Sequence, residues 1–505
     1  MNNSAQRRVF NNYSIGLVSF VISFVQTIIT VPILLNYWGN DTYGIWISLF
    51  AGFSLLQTFD FGHQSYIGNL LNVEYHIDKQ KFSEYLGSSL AIAYFLGLLQ
   101  LAITIILIIS GYLNNFLGLT GSTISYTSVS LSLLSLILMW TVAGSVGGIL
   151  VKMLIPAGYM VASTIWGIIF KLSQFLSLIF VAMNGGNILL ASIVYSLVQI
   201  ILSAFLFFYI KNKMPELYPW WKSLSFKVGF NNLKKSSILT VNNLLQQLTN
   251  NGLILFITNL FSSAIVPSFT TVRTLTNTAG VFTNLFITSI QPDLIKYHAK
   301  SEIDKLRSTL DANWFFSGLV VNAGLILVLP FVTDIFKIWT KGLISFDFNL
   351  FISLAASISV INFGAGLYNY LFGINNLRAV SAITVIRVIT LFVFSYYLSG
   401  FMGLTGIGVA VLISEIFSSM ILPYFYVQKI LKSFNGSLNL KTTFTAVFPP
   451  LILIVFAALT LSGIEFNYYI WGVALLLIII IYIFNWSILD KEVKERAKNL
   501  IHSLF

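Results

Sequence analysis

About fourteen stretches of this chain stay predominantly apolar for roughly 20 residues, the length a helix needs to cross a bilayer. Only 9% of the residues are charged and 57% are hydrophobic, against about a quarter charged in a soluble domain. The mean hydropathy of +0.85 fits the same conclusion. A polytopic, all-α membrane protein is therefore expected. Fourteen spans leave roughly 15 residues per loop, too few for a soluble catalytic domain. An outer-membrane barrel is excluded because its strands alternate polar and apolar residues over about ten positions, whereas these runs are continuous. With no cysteine, there is no disulfide framework, thiolate metal site or cysteine nucleophile.

The expected spans are 13–35, 44–67, 85–110, 126–151, 160–183 and 188–210, then 237–261, 264–290, 314–336, 350–372, 380–399 and 404–427, and finally 444–462 and 469–489. The first run is too long for a signal-peptide core and is read as a retained span. Lys and Arg test the partition, because they accumulate on cytoplasmic loops. Of the 28, the N-terminus, alternate loops and C-terminus hold 23, and the opposite loops hold only Lys337 and Lys341. Both termini are thus expected in the cytoplasm. The net charge of +11 has this topological reading, and nucleic acid is not expected as a partner.

Shifting the sequence against itself gives weak, ordered matches. Basic pairs precede the first span of each block, Arg7-Arg8 and Lys234-Lys235. Tyr75-His76 corresponds to Tyr297-His298, and Gly97-Leu98 to Gly318-Leu319. At an offset of 216, Lys171 falls on Arg387 and Gln199 on Glu415. The expected layout is a six-helix bundle over 1–210, a cytoplasmic connector over 211–236, a second bundle over 237–428, and two added helices with a tail over 429–505. An even number of spans per block gives both blocks one orientation, related by a pseudo-two-fold axis along the membrane normal, with substrate expected between them.

Polar groups in apolar helices need a reason, since a charge at the bilayer centre costs about 2.5–3.5 kcal/mol on insertion scales. Lys171, Arg273 and Arg387 lie deep in spans five, eight and eleven, and the intramembrane carboxylates are chiefly Asp60 and Glu415. Two readings stay open for the cations, a water-filled cavity that accepts anions or structural pairs with carboxylates and helix ends. Span seven carries Asn242, Asn243, Gln246, Gln247, Asn250 and Asn251. On a regular helix 243, 247 and 250 share a face, with 242 and 246 beside it. Interhelical hydrogen bonding needs one or two amides; six point to a wet lumen whose donors and acceptors suit sugar hydroxyls. Asp60 and His63, one helical turn apart, offer either a proton-handling pair or a local anchor. There is no HExxH, no phosphate loop with Lys and no Ser/His/Asp set that such short loops assemble, so no catalytic, metal or cofactor site is expected.

The stretch Leu35-Asn36-Tyr37-Trp38-Gly39-Asn40-Asp41-Thr42-Tyr43-Gly44-Ile45-Trp46, followed by Asp60-Phe61-Gly62 and Asn69, resembles the first two spans of Wzx-type polysaccharide flippases. These belong to the multidrug/oligosaccharidyl-lipid/polysaccharide (MOP) superfamily. The duplicated six-span layout with two added spans extends the resemblance over essentially the whole chain. His63 stands where an aliphatic residue is more usual, and Asn36 where a basic one is common. The resemblance implies a transporter, not an enzyme, in the bacterial inner membrane. Its substrate would be undecaprenyl-diphosphate-linked oligosaccharide repeat units, moved outward by alternating access for O-antigen or capsule assembly, with membrane lipids and other polysaccharide-assembly proteins as partners. Lys171, Arg273 and Arg387 would meet the diphosphate, Asn243, Gln246, Gln247 and Asn250 the sugars, and Asp60, Glu415 and His63 a coupling ion. The alternatives are a small-molecule exporter of the same superfamily, whose cationic cargo calls for carboxylates, and an integral-membrane polysaccharide polymerase or acyltransferase.

Overall fold

Two glycines fold the longest helical runs back on themselves. The computed structural model describes residues 3–494 except 465 and 492; the tail expected to end at Phe505 lies outside the described residues beyond 494. In it, α1 (Asn3–Ile77) turns at Gly39, where φ is 68° and ψ −179°, a conformation essentially reserved for glycine. The expected first and second spans are the two arms of this turn.

The chain forms two compact units, residues 1–267 with 339–344, and residues 268–338 with 345–505. In the first, α1 is followed by α2 (Lys79–Ile109), the short α3 (Leu113–Leu117), α4 (Tyr126–Met139), α5 (Ser145–Met153), α6 (Met160–Met183), α7 (Ile188–Lys213), α8 (Phe226–Gln247) and α9 (Leu253–Leu260). A π-helical turn at Trp140–Gly144 joins α4 to α5, and another at Leu248–Gly252 joins α8 to α9. One end of this unit is closed by a core of Ile67, Leu71, Phe82, Leu86, Ile149 and Trp220. The expected connector is packed rather than extended. Trp220 and Leu217 enter that core, the Ser225 N–H donates to Ser88 Oγ at 3.0 Å, and α8 begins at Phe226, well ahead of the expected span start.

α8 and α9 belong to the first compact unit, although the sequence repeat groups them with the second block. The packing explains this. Gly62 lies so close to the Thr240 backbone that a Cβ there has no room, and Ser48 Oγ and Thr258 Oγ1 share a hydrogen bond of 2.8 Å.

The second unit is built from α10 (Val266–Ala299, entered from the first unit), α11 (Ile303–Val328), α12 (Val332–Thr340), α13 (Phe348–Gly373), α14 (Leu377–Glu415), α15 (Leu422–Ser433), α16 (Leu440–Leu461) and α17 (Tyr468–Ile488). α14 turns at Gly403, with φ 59°, and meets α15 through a third π-helical stretch, Ile416–Ile421. α13 is the most enclosed helix, 89% buried over its apolar window, which explains why it is apolar on every side. Near one end of the unit, Trp314 stacks on Phe363 at 5.2 Å and donates to its carbonyl at 2.8 Å. The two added helices are fastened by polar contacts. The Thr442 hydroxyl donates to Asp311 at 2.7 Å, Asn322 donates to the Tyr482 hydroxyl at 3.0 Å, and Trp471 donates to the Ile326 carbonyl at 2.8 Å.

Ten helical runs among the described residues are long and apolar enough to cross a membrane. Two of them, Val21–Thr58 and Leu377–Ser433, contain the Gly39 and Gly403 turns and so cover two expected spans each. The seventh and eighth expected spans are helical in α8–α9 and α10, but they fall outside the ten. The protein is an all-α, multi-pass membrane protein.

Candidate functional site

In the first unit, the second arm of α1 sets Gln57, Asp60 and Gln64 within two helical turns of one another. Gln64 Nε2 donates to Asp60 Oδ2 at 2.8 Å and reaches the Ser145 carbonyl at 3.3 Å. The Ser145 hydroxyl bonds the same Asp60 oxygen and also lies 2.8 Å from the Ala93 carbonyl. It has one proton for these two acceptors. Asp60 is fully buried, and its Oδ1 has no partner among the described residues. Lys152, on α5, is close enough to interact with Asp60 electrostatically.

Beside this cluster is a cavity of about 330 Å³, lined by Gln57, Gln64, Lys152, Gln174, Gln199 and, among its aromatics, Trp140. The π-turn shapes its wall. Trp140 rests against the bare backbone of Gly144, and the Gln64 amide occupies the space where a Cβ on Gly148 would stand. Gln199 Nε2 donates to Ser173 Oγ at 3.0 Å, and Gln174 Nε2 donates to Gln199 Oε1 at 3.3 Å, which ties α6 to α7. Four amides, one ammonium and aromatic faces make a lining that offers hydroxyl-rich molecules both hydrogen-bond polarities.

The sequence-expected residues of this unit have other positions. Lys171 is exposed, with its Nζ 3.3 Å from Ser23 Oγ. In the amide stripe Asn242 is buried, Asn243 and Gln247 are half-buried, and Gln246 and Asn250 are exposed. Asn251 donates to Gln247 at 2.5 Å. The π-turn Leu248–Gly252 accommodates an extra residue, so Asn250 is displaced from the face that a regular helix assigns it. His63 and Asp60 do not bond each other. His63 Nδ1 lies 3.4 Å from Ser236 Oγ on α8, whereas Asp60 bonds Ser145 on α5.

In the second unit, Arg387 and Glu415 form an ion pair of 3.0 Å. Arg387 Nε donates to Ser418 Oγ and Nη2 to Ser419 Oγ, each at 2.9 Å. Both serines also donate to Glu415 Oε2. The π-helical stretch after Glu415 brings the serines to this position. Arg273, partly buried, has its guanidinium 5.9 Å from the centroid of the Phe269 ring and interacts electrostatically with the same Glu415. Two guanidinium groups thus share one carboxylate. Position 199 of the first unit and position 415 of the second play matching parts, since each polar side chain reaches back to the preceding span.

The cavity residues Gln57, Gln64, Lys152 and Gln174 were not singled out by sequence. Gln57 and Gln64 share an arm of α1, but Lys152 and Gln174 come from α5 and α6, so no single periodicity unites the set. The available signal was the presence of amides in apolar helices, noted only for Gln199 through the repeat.

The fold is shared with known transporters. The structure of the lipid II flippase MurJ in an inward closed conformation matches with a TM-score of 0.64 at 13% identity, over 93% of this chain and 97% of that one. An inward-facing multidrug resistance MATE family transporter of the MOP superfamily matches with a TM-score of 0.61 at 16% identity, over 84% and 98%. A MOP superfamily transporter from Pyrococcus furiosus matches at 0.54 and 15%, over 85% and 95%. No family model and no curated protein matches the chain. The chain therefore has the MOP-superfamily transporter fold.

Proposed function

We propose that the protein is a flippase that moves undecaprenyl-diphosphate-linked oligosaccharide repeat units across the bacterial inner membrane by alternating access. The observation that carries this reading is the positive surplus within the spans of the second unit, where Arg273 and Arg387 have Glu415 as a shared counterion. An anionic diphosphate answers such a surplus. The glutamine-lined cavity of the first unit supports a sugar-bearing cargo. The MurJ match, broader over this chain than the MATE matches, supports a lipid-linked one. In this reading Lys171, Arg273 and Arg387 meet the diphosphate. Asn243, Gln246, Gln247 and Asn250 meet sugar, and Asp60, His63 and Glu415 handle a coupling proton or sodium ion.

A small-molecule exporter is the second reading, favoured by the MATE-type match at a TM-score of 0.61. A cationic cargo calls for carboxylates, yet the charged side chain lining the first-unit cavity is Lys152. Chemical analysis of lipid-linked glycans in a deletion strain separates the two. Accumulation of a polyprenyl-diphosphate-linked repeat unit, reversed by the wild-type gene, is the expected result. Unchanged glycan pools with heightened sensitivity to cationic compounds would establish the exporter instead.

A further inference from the structure

At one end of the second unit, the start of α14 and the last turns of α15 enclose a pocket of about 380 Å³ that has no part in the function proposed above. Its polar wall is Asn376, Arg378, Tyr426, Lys429 and Ser433. Residues 426, 429 and 433 follow helical spacing and share a face of α15. Arg378 stands in the first turn of α14, where the Asn376 side chain caps the helix by accepting from the Ala379 N–H at 3.3 Å. The N-terminal dipole of this long helix adds to the two cations.

No carboxylate lines the pocket, and among the described residues neither Arg378 nor Lys429 has an ion-pair partner. At the start of α11, Glu302 pairs with Lys305 at 3.1 Å and Asp304 with Arg307 at 3.4 Å. The pocket also lies at the ends of a helical run apolar enough to cross a membrane. α14 and α15 are the outer ends of one apolar run, Leu377–Ser433. Ile430 forms part of the pocket wall, and Phe425, beside Tyr426 in the chain, is 64% exposed.

From this arrangement we infer that the pocket between α14 and α15 binds the phosphate headgroup of an anionic glycerophospholipid, with Arg378 and Lys429 on the phosphate and the acyl chains along the apolar outer face of α15. Two cations suit a singly charged phosphodiester, and Tyr426 and Ser433 supply hydroxyl donors for its remaining oxygens. Basic pockets between spans are recognised lipid-headgroup sites. The site follows from the charge, shape and position of this end of the unit, and it stands whichever cargo the protein carries.

The test uses the full-length protein and native mass spectrometry with phosphatidylglycerol, and with phosphatidylcholine for comparison. Wild-type protein is expected to retain one phosphatidylglycerol that Arg378→Ala/Lys429→Ala binds about 30-fold more weakly, from about fivefold for each lost surface cation. Phosphatidylcholine retention should be the same for both proteins. Ser433→Asp, which adds a negative charge and leaves both cations and the helix cap in place, should produce a comparable loss. Lys432→Ala, at the same end but outside the pocket, should produce none. Equal phosphatidylglycerol retention by wild type and both pocket variants would overturn the assignment. So would an equal loss on Lys432→Ala, which would indicate diffuse surface charge. Displacement by inorganic phosphate alone at concentrations matching the lipid would identify a soluble anion site and likewise reject the lipid.

Discussion

An arginine in the middle of an apolar helix persists where its charge is answered, and Arg387 is answered by Glu415, Ser418 and Ser419 together. Removing one member of such a pair leaves the other charged in a poorly solvated place, at about 3–5 kcal/mol, whereas removing both is far milder. Arg387→Ala is therefore expected to lower the thermal midpoint of the detergent-solubilised protein, and Arg387→Ala/Glu415→Gln to recover only part of the loss, because Arg273 then lacks the carboxylate it shares. Equal midpoints for the single and double variants would show that the charge left on Glu415 is not what destabilises the single variant. Residues of this kind were legible in the sequence, because a lone charge in an apolar run is conspicuous. The pairing of Arg387 with Glu415 was only partly legible. The offset repeat set Lys171 beside Arg387, yet Lys171 is exposed and bonds Ser23. Amides are harder to weigh singly. A glutamine within a span is satisfied by one interhelical bond, so Gln57, Gln64, Gln174 and Gln199 gained meaning only when folding brought four segments around one cavity.

Helical elements were legible wherever apolar length decided them, and less so where the backbone departs from the α-helix. The three π-helical stretches, at Trp140–Gly144, Leu248–Gly252 and Ile416–Ile421, each lie next to polar groups discussed above, and the face assignment for span seven failed at one of them. The loops that join the elements carry their own signals. His298, beyond the expected end of span eight, bonds the Tyr370 hydroxyl at 2.8 Å and meets the Phe434 ring at 5.5 Å. It thereby ties the α10 end to α13 and to the loop after α15. Burial lowers its pKa from the ordinary 6.5. Below that value the unfolded chain takes up a proton that the folded chain resists, so the contribution is complete above about 6.5 and declines as the pH falls toward the depressed folded value. His298→Phe retains a ring against Phe434 and cannot titrate. Its thermal midpoint should differ most from wild type near about pH 8, and the gap should narrow by about pH 5. A constant gap across that range would show that the imidazole does not titrate on unfolding.

At the scale of the whole molecule, charge asymmetry and fold are independent sources of information. The match to MOP-fold transporters follows from helix order and packing, whereas the orientation in the membrane rests on the sequence alone. The structure gives one physical reason to take the asymmetry seriously. The ends of α10, α13 and α15, which His298 brings together, carry on their last turns, the adjoining loop and the start of α14 the cations Lys296, Lys300, Arg378, Lys429 and Lys432. The opposite end of the same unit is marked by Asp347, which caps α13 and accepts from Thr405 at 2.8 Å beside the Gly403 turn. One end of the unit is thus basic as an assembled surface, and translocation of that end would move many cations across the bilayer against the usual bias. Reporter fusions after Lys235, Lys305 and Phe505 should consequently read cytoplasmic, and fusions near Asn115 and Gly186 periplasmic. The pattern is diagnostic because α16 and α17, each long and apolar enough to cross, are expected to return the chain to the side it left. A periplasmic signal at Phe505 with cytoplasmic signals at Lys235 and Lys305 would mean that one of these two helices fails to cross. Reversal at all five positions would instead invert the whole protein in the membrane.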